Sequence, residues 1–280
     1  MLWVVVGAVV VVVLLVVGLG LVGVLPIFSS SSPGSVLTYS QARPIADSTA
    51  QGTSGGSWDL LIGAGLVSAT AVTESLTGTG SSSGCVVTTL AGAPSNVSLP
   101  AGPANITGGS SPSWLFLYRN AAGELLIVTV LNGKGTALAT IASGQSCSTV
   151  FGLLSVVPSN VIDSSAAAND VSGDAASFLA ANPTVSRAYA LLGGVSFLGH
   201  GYGAEWRVNY TTCPADATTG TTGAAFNATV NATTGAVIFD QTLSSVACRS
   251  GLLSNLSHST TPIAPLVRTA TLPVAAARRT

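Results

Sequence analysis

The sequence predicts an α+β protein: an N-terminal transmembrane helix, then an ectodomain of two antiparallel-sheet units, the second with a preceding helix. Three observations predict it. Residues 2–25 form an uncharged apolar run. Beyond it, short runs of strand formers alternate with Gly, Asn and Thr turns. A skeleton of Trp, Tyr, Gly and Cys then recurs in the two halves of the remainder.

As a helix, the run at 2–25 would be about 36 Å long, enough to cross a hydrocarbon core of about 30 Å. Gly18, Gly20 and Gly23 match the letters of a dinucleotide fingerprint, G-x-G-x-x-G. That fingerprint needs a helix opening at the glycines and an acid about 20 residues on. Here Pro26 and a serine run follow, and the first acid is Asp47. The glycines are therefore assigned to lipid, and no cofactor is expected. No Lys or Arg precedes the core, and the core is longer than that of a cleavable signal peptide, so an uncleaved signal anchor is expected. The bilayer is then a partner through this helix, with the bulk of the chain extracytoplasmic and the protein single-pass in the cell membrane.

Residues 26–56 are rich in Ser, Gly, Thr and Pro and read as a stalk. Residues 57–157 read as a first β-rich repeat, 158–260 as a second α+β repeat, and 261–280 as a tail. In the first, WLFLYR (114–119) and ELLIVTV (124–130) flank the turn NAAG, a hairpin pattern. In the second, WRVNY (206–210), AFNATV (225–230) and AVIF (236–239) follow the same plan. Trp114 with Tyr118 matches Trp206 with Tyr210, and Thr129-Val130 before Gly135 matches Thr229-Val230 before Gly235. Asp163 reads as an N-cap for a helix whose apolar side carries Val171, Ala175, Phe178 and Leu179, ended by Pro183. Residues 44–48 hold a faint echo of that start in the first copy.

Cys85, Cys147, Cys213 and Cys248 show no C-x-x-C spacing, so no metal is expected and two disulfides are. Four cysteines allow three connectivities. The repeat favours Cys85 with Cys147 and Cys213 with Cys248, one bridge per copy.

Only 7% of residues are charged, against roughly 25% in typical soluble proteins, and the net charge is −1. Nucleic acid binding lacks its positive footprint. Solubility then falls to hydroxyls, amides and attached sugar, for which Asn96, Asn105, Asn209, Asn227, Asn231 and Asn255 head N-x-[ST] sequons.

The hairpin turn VNATTGAV (230–237), with a helix ahead of the sheet, resembles a PepSY-like module, with Asn231 where that family often has an acid. The resemblance implies an extracytoplasmic binding or inhibitory module.

Chemistry is sparsely signalled. Ser54 and Ser82 sit in G-x-S-x-G contexts, but in Gly/Ser-rich surroundings without the strand and helix of a hydrolase elbow. His200 in GHGYG and His258 are the only histidines. Asp170 and Asp174 are spaced to share a helix face and read as solvated. Trp58, Trp114 and Trp206, with Tyr118 and Tyr210, read as core packing ahead of an aromatic platform. No catalytic, cofactor or metal residue is assigned. The expectation is a membrane-anchored extracytoplasmic glycoprotein, not an enzyme, that binds a protein, peptide or glycan or builds surface structure. The alternatives are a tethered extracellular hydrolase and a filament or surface-layer subunit.

Overall fold

The computed structural model describes residues 35–67, 72–75, 81–82, 85–93, 96–99, 108–145, 151–197, 200–214 and 220–248. Three helices, α1 (Tyr39–Gln51), α2 (Ser164–Asp170) and α3 (Ser172–Ala181), accompany fourteen strands among these residues. The first half contributes β1 (Trp58–Val67), β2 (Val72–Ser75), β3 (Ser81–Ser82), β4 (Cys85–Thr89), β5 (Asn96–Leu99), β6 (Ser113–Asn120), β7 (Leu125–Leu131) and β8 (Lys134–Ile141). The second contributes β9 (Ser186–Leu192), β10 (Val195–Phe197), β11 (His200–Tyr202), β12 (Glu205–Thr211), β13 (Thr222–Asn231) and β14 (Val237–Ala247).

One ten-stranded sheet runs β14-β13-β12-β9-β1-β6-β7-β8-β4-β3, antiparallel throughout. Each half follows the same order: helix, then four strands side by side, β1-β6-β7-β8 in one and β9-β12-β13-β14 in the other. The first strands of the two halves pair directly, from Ile62 opposite Leu192 to Val67 opposite Arg187. The expectation of two separate sheet units is therefore corrected: the units share one continuous sheet. The helix expected only in the second half also has a counterpart in the first.

That counterpart, α1, lies inside the segment expected to be a stalk. Its buried face is made of Tyr39, Ala42, Ala46 and Ala50, whose period of about four residues stacks them on one side. Thr38 caps it, and Gln41 Oε1 accepts from Thr38 N–H at 2.9 Å in a capping box. The cap holds the helix although Pro44, inside it, lacks the N–H that would bond Ser40.

Among the described residues no helix is long and apolar enough to cross a membrane. The expected span at 2–25 lies outside them.

The helices cover one face of the sheet. Tyr39 sits at the joint, its ring edge-on to Trp114 from one half (5.9 Å between centroids) and Trp206 from the other (5.3 Å). Both indoles are fully buried, and each satisfies its N–H in the same way. Trp114 Nε1 donates to Leu37 O at 2.8 Å and Trp206 Nε1 to Ile162 O at 3.0 Å. Each acceptor is the residue just before its helix's N-cap. The repeated Trp thus pins each helix entry to the second strand of its own half. Gly65 makes this packing possible in the first half, since a Cβ there would lie 2.8 Å from the Trp114 ring.

The Asn-Ala-Ala-Gly turn at 120–123 closes β6 onto β7 as expected, with Gly123 at φ 83° and Trp114 opposite Val130. Val171, Ala175 and Phe178 are buried, as their spacing predicts.

Candidate functional site

The two halves differ on the face away from the helices. In the first, alternate residues of β6, β7 and β8 are apolar: Leu117, Leu125, Ile127 and Ile141 form a cluster closed by Phe151 and Leu154 from the connection to the second half. That side is packed shut.

In the second half the same face carries a polar patch, bordered by Ala188 and Ala190 on one side and by Ala225 and Leu243 on another. Register and the period of two place Arg207, Asn209, Asn227, Thr229, Phe239 and Gln241 together. Asn209 lies opposite Asn227, which lies opposite Gln241; Arg207 lies opposite Thr229, which lies opposite Phe239. Arg207 is held by Glu205, with Nε and Nη2 donating to Oε1 at 2.8 and 2.6 Å. Their side chains remain 37% and 26% exposed. Phe239 and Gln241 are half-buried.

Asn209 and Asn227 form the floor. Asn209 Nδ2 donates to Asn227 Oδ1, while Asn209 Oδ1 and Asn227 Nδ2 are buried without a protein partner. One acceptor and one donor are thus closed off from solvent and unmet, which costs on the order of 1–3 kcal/mol per group. Planar amides beside an aromatic ring and a fixed guanidinium hydrogen-bond well to hydroxyl and amide groups.

A second polar cluster lies where the two halves' helices begin. Asp163, the N-cap of α2, turns its carboxylate to α1: Ser40 N–H donates to Oδ1 at 2.8 Å, and Ser165 Oγ donates to Oδ2 at 2.8 Å. Ser164 Oγ accepts from Tyr39 N–H at 2.9 Å. Burial alone would raise the Asp163 pKa. The hydrogen bonds from Ser40, Ser165, Thr38 and Ser164 outweigh it and hold the carboxyl below its ordinary value. Asp163 thus occupies the N-cap position read from sequence, but its carboxylate makes no capping hydrogen bond to the first-turn amides of α2 and binds the start of α1 and the Ser165 hydroxyl instead. Nearby, Tyr118 OH donates to Asp47 Oδ1 at 2.8 Å; burial, then the Asp47 charge, pushes that phenol far above its usual pKa.

The other sequence candidates are scattered. Trp58, Trp114, Trp206, Tyr118 and Tyr210 are buried in the core. Cys213 and Cys248 form a disulfide with Cα atoms 5.4 Å apart. The pairing of Cys85 with Cys147 falls outside the described side chains. Ser54 is exposed in the loop from α1 to β1, so it follows a helix and precedes a strand, the reverse of a nucleophile elbow. Ser82 is in β3 and His200 in β11, their side chains outside those described, as is His258. Asp170 and Asp174 are exposed on either side of the break at Val171. Among the described residues no three His, Cys, Asp or Glu side chains gather as metal ligands would.

The sequons divide as well. Asn209 and Asn227, 5% and 4% exposed, belong to the amide floor, and the folded sheet leaves no room for a glycan at either. Asn231 is part-exposed in the β13–β14 turn, where its Oδ1 accepts from Thr233 and Thr234 N–H, leaving the nitrogen that would carry sugar. Asn96 is in β5, its side chain undescribed; Asn105 and Asn255 lie outside the described residues. Sequence reasoning read Asn209 and Asn227 as sugar acceptors and missed the polar face they floor. The alternation of Arg, Asn and Thr with Trp, Val and Tyr along 206–211 was its signal.

No family model matches the chain, and no curated protein or solved structure is significantly similar to it.

Proposed function

We propose that this chain is an exported, non-catalytic binding protein whose binding surface is the polar sheet face of its second half. The observation that carries the reading is the contrast between halves of one plan. One face is filled with Leu and Ile and sealed by Phe151 and Leu154, while its counterpart presents Arg207, Thr229, Phe239 and Gln241 over an amide floor. Arg207, Thr229 and Gln241 offer hydrogen-bonding groups beside the half-buried Phe239 ring, which favours a ligand that carries amide and hydroxyl groups, as N-acetylated sugars do. The Cys213–Cys248 disulfide and the very low charge support an extracytoplasmic setting, and the apolar N-terminal segment supports delivery to the membrane. The PepSY-like resemblance of the second half, a helix ahead of an antiparallel sheet, points to a binding module too.

Retention on immobilised N-acetylglucosamine oligomers tests the reading. The wild-type chain is expected to be retained and Arg207→Ala and Gln241→Ala to be retained at least tenfold more weakly, with unfolding midpoints unchanged. Equal retention of all three, or none of any, would overturn it.

A further inference from the structure

We propose that β14 is the surface through which two copies of this chain pair, edge to edge about a two-fold axis, so that the sheet continues from one molecule into the other. The inference goes beyond the binding reading and does not rest on it. At 11 residues β14 is the longest strand among those described, and β13 is its only partner among them. The other end of the sheet is treated differently. There β4 lies along β8, from Val87 opposite Ile141 to Thr89 opposite Ala139, and β3 lies on β4. The insertion between β1 and β6 thus covers the β8 edge. The connection between β9 and β12 instead pairs β10 with β11 and adds no strand to β14.

Open edges are normally blunted by lysine, proline or shortness, because their unpaired N–H and C=O groups template another strand. β14 has no Lys, Arg or Pro, and Asp240 is its single charge. Ile238 is 62% exposed on it. Two bulges disturb its ladder with β13, at Gly223/Ala225 and Thr229/Val230, but residues 239–243 between them run in regular register.

The occupant follows from the same strand. The molecule already joins two such units edge to edge, antiparallel, through β1 and β9. An antiparallel pairing of β14 with itself centred on Thr242 sets Asp240 opposite Ser244 of the second copy and Ile238 opposite Val246, so no like charges meet. With a net charge of −1 the molecules repel each other little. Phe239 and Gln241 of both copies then lie near the axis, and the two polar faces become neighbours on one extended sheet.

The test uses the full-length chain purified in detergent. Thr242→Cys places a thiol on the axis, and mild oxidation is expected to yield mostly a linked dimer on a non-reducing gel. Ser172→Cys, exposed on α3, serves as the collision control and is expected to stay monomeric. Light scattering is expected to give twice the monomer mass for wild type and the monomer mass for Thr242→Lys and Ser244→Lys, at unchanged unfolding midpoints. A monomeric wild type, or linkage of Thr242→Cys no faster than that of Ser172→Cys, would overturn the proposal.

Discussion

Removing the Cys213–Cys248 bridge is expected to cost about 4 kcal/mol. The two cysteines are 35 residues apart in sequence, and closing a loop of that length in the unfolded chain removes entropy worth about 3.8 kcal/mol at 25 °C. The bridge ties the exit of β12 to the end of β14 across β13, so the closed loop holds the hairpin of the polar half. Both cysteines are buried with Ala225 and Val246, so alanine at both positions removes the cross-link while leaving little cavity. The assay is urea unfolding of the wild type and Cys213→Ala/Cys248→Ala side by side, without reductant so that the other cysteines are undisturbed. With a slope of about 2 kcal/mol per M, the midpoint should fall by about 2 M. A fall below about 0.5 M, roughly 1 kcal/mol, would refute the entropic reasoning and show that β12–β14 are ordered without the bridge.

Asp163→Asn should lose about 1 kcal/mol at neutral pH, because the Ser40 N–H and Ser165 hydroxyl bond a carboxylate more strongly than a neutral amide. Because the folded state holds the Asp163 pKa below its ordinary value, its contribution is present above pH ~4 and is lost as pH falls through the folded value. The wild-type and variant melting curves should therefore converge in acid, and a constant gap would contradict the bonding of the Asp163 carboxylate to Ser40 and Ser165. Gly65→Ala forces a methyl to within 2.8 Å of the Trp114 ring and should cost about 1–3 kcal/mol by overpacking; an unchanged melting temperature would mean that the indole sits elsewhere. In glycopeptide mapping of material from a glycosylating host, Asn209 and Asn227 should be bare, and sugar on either would contradict the amide floor.

Much of the second half was legible because its signals are local. The run WRVNY, the turn at 231–235 and the Asp163 cap each declare themselves within a few residues. The disulfide followed from the repeat. Helix α1 left only the faint echo at 44–48 for a definable reason: apart from Tyr39 its buried face is alanines 42, 46 and 50, which carry little hydrophobic contrast in a Ser/Thr/Gly/Pro background, and Pro44 breaks the pattern. The direct pairing of β1 with β9 was hidden too. Partner choice between distant strands is a tertiary outcome, and Gly63 and Gly65 weaken the strand signal of β1 while admitting Tyr39, Phe116 and Trp114. The polar face failed to announce itself because two of its residues fit the sequon pattern. Only register shows that Asn209 and Asn227 meet across β12 and β13.

The central claim is that the outer face of the second half-sheet, and not its apolar counterpart, receives the ligand. Hydrogen exchange of the full-length chain with and without saturating N-acetylglucosamine oligomers measures this directly. Slowed exchange confined to peptides from β12, β13 and β14 is predicted; protection in β6, β7 and β8, or no protection anywhere, would contradict it.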